Sequence, residues 1–194
     1  MLAGLAEAVR AEGACLTWPD DPETARLLRV TAEAERRNTR DAARSAETRG
    51  WLRESAPDGL PGLALGLRDS TGRMPVRDFT GTRGPDTPAA VFEERPVVAV
   101  LATAHDRRAD WLRAGQALEH LLLAATAQGL RTSLLHQALE WPDLRWALTG
   151  PRREAGADPR RDAGHAQMLV RVGYGPEGPA TQRRPAAAVL ADRP

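Results

Sequence analysis

Few side chains here are of a type and spacing that could do chemistry, and the most specific are two adjacent arginines. Arg183 and Arg184 stand in TQRRP, shortly after a strand-like run. Two fixed-charge forks beside a turn suit an anion or a phosphate, and a solvated Arg pair has the same spacing. The four histidines His105, His120, His136 and His165 are scattered, with no His-x3-His or His-x-His pair, so no metal site is expected. Cys15 is the only cysteine, which excludes an intramolecular disulfide, a CxxC redox pair and a thiolate zinc cluster. With no histidine or cationic helix end beside it, Cys15 is expected to be a buried, inert thiol. Ser133 lies in no G-x-S-x-G elbow. Gly173, Gly175 and Gly178 follow a strand-like run without opening a helix, so they read as a turn and not as a phosphate cradle. No residue stands out as catalytic.

The chain that must position these groups has 194 residues, 27 basic and 26 acidic, for a net charge of +1. That length supports one domain with a substantial core. A near-neutral balance argues against nucleic acid or anionic membrane as a partner. Every basic residue is arginine, so neither a Schiff-base nor a P-loop lysine is available. No apolar run reaches the roughly 18 residues of a membrane span, and the start has no basic region before an apolar stretch. A reducing cytoplasm is the expected compartment.

Three parts follow from the pattern: a helical part over 1–54, an irregular segment over 55–94 and a core over 95–194. In the first, Leu2, Leu5, Ala6 and Val9 share a helical face that Gly13 ends. Asp20 or Asp21 as cap and Pro22 in the first turn predict a second helix to the late 30s, and a third follows to about Trp51. The segment Ser55–Glu94 is rich in Gly, Pro, Asp and Thr, and loops that long are usually functional or partly disordered. RPVVAVLAT predicts a strand buried on both faces. Asp110 then caps a helix whose apolar positions, from Trp111 and Ala114 to Leu123 and Ala125, leave almost no polar face, so it is expected to be buried all round, in a core or against a partner chain. RTSLLHQ predicts a strand, WPDLRWALTG a short helix, GPRREAGADPRRDAGH a loop, QMLVRVGYG a third strand and the tail a short Ala-rich helix.

The order strand, long helix, strand, short helix, strand and basic tail resembles the C-terminal half of the nitroreductase fold. The text ERPVVAVLATAHDRRADWLRAGQALEHLLLAATAQGLRTSLLHQALEWPDLRWAL, then QMLVRVGYG and TQRRP, resembles one branch of it, the Acg family of nitroreductase-like, FMN-binding proteins. ETRGWLRESAPDGLPGLALG upstream is similar to the family's segment before its first strand. The resemblance implies an α+β fold in α/β layers, with a central, mostly antiparallel sheet flanked by helices. It implies FMN as cofactor, with Leu134, Leu135, His136 and Gln137 edging the ring and Arg183 and Arg184 taking the phosphate. It implies an oxidoreductase passing electrons from NAD(P)H to nitroaromatic or quinone acceptors, as a homodimer. A flavin-sequestering protein without turnover, or a non-catalytic remnant, are the alternatives. Family members extend further at the N-terminus, so the chain is expected to open near the family's middle and to be an incomplete copy of the fold. The family's N-terminal flavin contacts would then be absent, unless the Arg-bearing stretch from Arg68 to Arg83 substitutes for them.

Overall fold

A run of β-branched and small apolar residues bounded by Pro96 and a charged turn can hide both its faces only as a central strand. In the computed structural model, which describes residues 1–53, 58–79, 88–149, 164–178, 181 and 183–190, that run is β4, Val97–Thr103, and all of it beyond Val97 is buried. Three more strands share its sheet: β1 (Cys15–Thr17), β5 (Arg131–Leu134) and β6 (His165–Gly173). The order is β1-β4-β6-β5, and every neighbouring pair is antiparallel. Register between β4 and β6 shifts at Leu101/Ala102. Beyond the shift Gly164 lies so close to Thr103 that a Cβ there would meet its carbonyl oxygen at 2.1 Å, so the backbones can approach only because this position is glycine.

Strand alternation sorts the side chains into two cores. Ala99 and Leu101 of β4 and Val170 and Val172 of β6 point to one face, where they meet α1 (Leu2–Ala11) and α4 (Arg108–Ala127). Val98, Val100 and Leu169 point to the other, where they meet α2 (Asp21–Arg40), α5 (Pro142–Thr149) and a 3-10 turn at Gln137–Glu140. The result is an α+β, three-layer arrangement compatible with a nitroreductase-like fold. The helix α3 (Ala42–Gly50) follows α2 after one residue, Asp41, whose carboxylate caps it by accepting from the Ala43 and Arg44 N–H groups.

Several expectations change. Asp110 is not the cap of α4 but sits inside its first turn, where its carboxylate accepts from the Arg107 N–H at 3.3 Å. The chain's own core does not bury that helix all round: Ala114, Ala117, Leu121 and Ala125 are covered, whereas Leu112 and Leu123 are 70% and 61% exposed, which leaves the partner-chain alternative for that side. The covered positions are mostly alanines and the exposed ones leucines, so apolar composition alone does not say which side of the helix meets the core. Cys15 is exposed, since β1 is an edge strand of three residues. That strand was not foreseen, being too short for any periodicity. The Ala-rich tail makes one 3-10 turn, Ala186–Ala188. Between 58 and 79 and from 88 to 94 regular structure is sparse, with a 3-10 turn at Gly62–Ala64 and a two-residue parallel pair, β2 (Arg68–Asp69) with β3 (Ala89–Ala90). The expected loop GPRREAGADPRRDAGH falls mostly outside the described residues. No helix among the described residues is long and apolar enough to cross a membrane.

Candidate functional site

The two long helices bury different kinds of residue. Along α2 the inward positions are Thr24, Leu27, Thr31, Ala34 and Asn38, spaced by three and four as one helical face requires. Three of the five are polar. Thr31 satisfies itself by donating to the Leu27 carbonyl at 2.9 Å, but Asn38 needs external partners. Its Oδ1 accepts from the Trp141 indole at 3.0 Å, and its Nδ2 lies 3.4 Å from Glu140 Oε2.

Glu140, at the end of the 3-10 turn, gathers charge from three parts of the chain. Arg44 of α3 reaches its Oε2 at 3.1 Å, and Arg77, from the irregular segment, pairs with its Oε1. The same Arg77 Nη1 lies 2.9 Å from Nε2 of His136. Burial acts to raise the Glu140 carboxyl, but the side chains of His136 and Arg77 prevail and hold it down at about 2. Arg44 and Arg37 lie over the Trp141 ring, at 4.5 and 5.5 Å from its centre, a favourable seat for guanidinium planes. A cleft of about 310 Å3 is lined by Glu140 together with Asp106, Arg145, Trp146 and His165, which is the lower end of ligand-pocket sizes.

Behind this cluster lies an incompletely satisfied one. Glu35 of α2 accepts from the Asp78 N–H at 2.6 Å through Oε1, while its buried Oε2 has no partner. Burial pushes the Glu35 carboxyl up; the Asp78 N–H, Arg77 and the neighbouring Gln137 amide oppose that only in part. Gln137 is 1% exposed, and its amide lies beside the Glu35 carboxylate that it helps to hold, yet neither its Nε2 nor its Oε1 meets a partner in full hydrogen-bond geometry. Buried polar atoms without partners are uncommon and costly, which makes such a group a candidate for an unseen water or ligand.

The segment expected to edge a flavin ring is thus brought into one place but not presented evenly. Leu134, at the end of β5, is 39% exposed and offers an aliphatic surface. Leu135 does not: at 3% exposure it packs in the core with Leu27 and Ala34, and its N–H donates to Leu169. His136 is half-exposed and held by Arg77, and Gln137 is buried. Arg183 and Arg184 are exposed on the tail. Arg183 donates to Thr181, and Arg184 stands 3.9 Å from Asp58. Among the described residues no hydrogen bond or ion pair joins these arginines to residues 134–137. Glu35, Asn38, Arg77 and Glu140 were missed by sequence reasoning. Polar residues on the buried stripe of α2 were a usable signal for the first two, whereas Arg77 is one of several arginines in an irregular segment and nothing local marks it. No group of His, Cys, Asp and Glu among the described residues could hold a metal ion.

No family model matches the chain. It is similar to an uncharacterized protein of Mycobacterium tuberculosis, 32% identical over 197 residues, covering 96% of this chain and 54% of the relative. Two further relatives from that organism carry the names "Putative NAD(P)H nitroreductase Rv3131", 31% identical over 85% of this chain and 48% of the relative, and "Putative NAD(P)H nitroreductase acg", 34% identical over 75% and 43%. The chain spans about half the length of the curated relatives it matches.

Proposed function

We propose that this chain, a distant relative of nitroreductase-like proteins, is the part of an FMN-dependent oxidoreductase of the Acg branch that forms one wall of the flavin site. The observation that carries the reading is the similarity of most of its length to relatives named as NAD(P)H nitroreductases. The residues fit the group. A flat ring with a polar rim calls for aliphatic surface and a few unspent hydrogen-bonding groups. Leu134 supplies the first, and the half-exposed His136, with the buried amide of Gln137 next to it in the chain, supplies the second. Arg183 and Arg184 take the phosphate, which outcompetes a carboxylate 3.9 Å away because a phosphate dianion accepts bidentate, charge-assisted bonds. When bound, the flavin supplies the redox chemistry, accepting electrons from NAD(P)H and returning them to a nitroaromatic or quinone. The chain's own residues bind, orient and exclude water. Leu135 and Ala138, buried in the core beneath, keep the 134–137 segment from shifting.

The test is titration of the chain with FMN, followed by flavin fluorescence, and then NAD(P)H oxidation with a quinone acceptor. Saturable quenching with acceptor-dependent oxidation is the expected result. Saturable binding without oxidation is what a flavin-sequestering protein would give, and no quenching at any attainable FMN concentration overturns the flavin reading.

A further inference from the structure

Arg77 makes an assignment that the imidazole of His136 cannot make alone. A guanidinium is protonated at every accessible pH and can only donate. Its Nη1 carries two hydrogens and faces two atoms, Oε1 of Glu140 and Nε2 of His136, the latter at 2.9 Å. Each hydrogen therefore has one acceptor, and Nε2 must offer a lone pair. The competing arrangement puts a proton on Nε2 and directs it at Glu140 Oε1, 3.2 Å away. That leaves an Arg77 N–H pointing at another N–H. A His136 N–H on Glu140 would help to hold that carboxyl down, but Arg77 on Oε1 and Arg44 on Oε2 already give each of its oxygens a donor without the imidazole. With Nε2 an acceptor the proton of the neutral ring sits on Nδ1, and Nδ1 has no partner among the described residues.

We infer that Arg77 is a positioning residue that fixes His136 as the neutral Nδ1–H tautomer, so that the site presents a hydrogen-bond donor and selects ligands bearing an acceptor oxygen, a ring carbonyl or a nitro group, at that point. The charged and titratable groups facing the imidazole are Arg77 from the irregular segment and Glu140 from the 3-10 turn, with Arg44 of α3 acting through Glu140. The tautomer follows from this geometry alone, and only the choice of ligand rests on the proposed flavin site. A donor at His136 adds a direction that Gln137 lacks: an amide can serve either a donor or an acceptor, whereas a tautomer-locked imidazole serves one.

The tautomer is read by long-range 1H–15N correlation on the imidazole at pH 8.5, with His136 identified by loss of its signals in His136→Asn. The expected wild-type pattern is pyrrole-like Nδ1 and pyridine-like Nε2. Arg77→Met removes the obligate donor and leaves Glu140 as the ring's partner, so the population should move to Nε2–H. Glu140→Gln, which keeps Arg77, should retain Nδ1–H. A predominantly Nε2–H ring in the wild type overturns the inference, as does an unchanged ring in a folded Arg77→Met. Should that variant fail to fold, the wild-type and Glu140→Gln spectra still decide the matter. The ligand arm uses riboflavin. His136→Asn keeps an N–H near the Nδ1 position and should bind within about threefold of wild type, while His136→Phe should lose about tenfold, one neutral hydrogen bond's worth. Equal loss in both variants overturns the donor role. Failure of the wild type to bind riboflavin at all removes the flavin reading and leaves the tautomer result standing.

Discussion

The sheet carries a 20-residue helix on each face, and the two differ in almost everything except length. α4 closes one core with Ala114, Ala117, Leu121 and Ala125, and its one buried polar side chain, Asp110, sits at the first turn and is paired there. α2 closes the other with Leu27 and Ala34 but interleaves Thr24, Thr31 and Asn38, and it holds Glu35 half-buried beside them. A dry face maximises burial and tolerates no vacancy. A face with buried polar groups gives up stability and gains specific geometry, because each such group must be matched in direction as well as in volume. Both faces carry a buried core, and the one with the polar stripe is where the proposed site lies.

The largest effect expected from that contrast comes from one substitution on each side. Leu121 is fully buried in the dry core, so Leu121→Ala should cost about 2–5 kcal/mol, lost transfer energy plus a cavity. Gln137 is as deeply buried on the other face, but its amide meets no group in full hydrogen-bond geometry. Gln137→Leu removes that penalty and should leave stability unchanged or raise it by about 1 kcal/mol, while weakening riboflavin binding. Urea unfolding of both variants checks the pair. A Gln137→Leu that destabilises as much as Leu121→Ala would show that the amide has a structural partner and that the two faces are alike.

Within the proposed site the comparison is between the anion grip and the ring wall. Replacing Arg183 and Arg184 together with alanine removes charge-assisted bonds that only a phosphate can use, so FMN should weaken by tenfold or more. Riboflavin, which has no phosphate, should change little. Parallel fluorescence titrations decide it, and equal losses for the two ligands would remove the phosphate assignment.

Much of this arrangement could be read from the residues, and what could not has a physical reason. The α2 cap at Asp20, β4, β6 and the alternation of Met168, Val170 and Val172 against Leu169 and Arg171 follow from periodicity and turn chemistry, which are local. The exposure of Leu112 and Leu123 could not follow, because composition says how apolar a helix is and not how many neighbours it has. For the site the segment 134–137 was in view, yet Leu135 turned inward: its N–H pairs with Leu169, which fixes its side chain in the core. Arg77 joins Glu140 across 63 residues and an irregular segment, a contact of the tertiary structure alone.

Two carboxylates on the α2 face sharpen the contrast further, because their responses to acid have opposite signs. Glu140 is held at about 2, against an ordinary value of 4.5. Its pairing therefore stabilises the fold above about pH 4.5 and is lost as pH falls from there toward 2. Allowing for solvent screening of a partly exposed group, the contribution is about 1–2 kcal/mol. The stability gap between wild type and Glu140→Gln should be widest near pH 7 and close across that window. For Glu35 burial raises the carboxyl, so its charged form opposes folding at neutral pH and protonation relieves it. Glu35→Gln should accordingly be neutral or stabilising at pH 7. Denaturant midpoints of the three proteins at a series of pH values test both signs, and a Glu140 gap that persists at pH 2 would mean that the pairing energy is not electrostatic.

The smallest effect separates the entry of α2 from the face it buries. Asp20 precedes the helix, and its exposed Oδ1 accepts from the Glu23 N–H at 2.9 Å. This satisfies one of the four amide donors that a helix start leaves open. Asp20→Ala forfeits that bond and should cost about 1 kcal/mol, whereas Asp20→Asn or Asp20→Ser keeps an acceptor and should cost only a few tenths. Because the cap lies at the opposite end of α2 from Glu35 and Asn38, the loss should appear as global stability alone. Riboflavin affinity and the His136 tautomer should be unchanged. A cap variant that shifted either would show that the polar stripe of α2 moves with its first turn, and that the site is set by the position of the whole helix and not by the contacts Asn38 and Glu35 make.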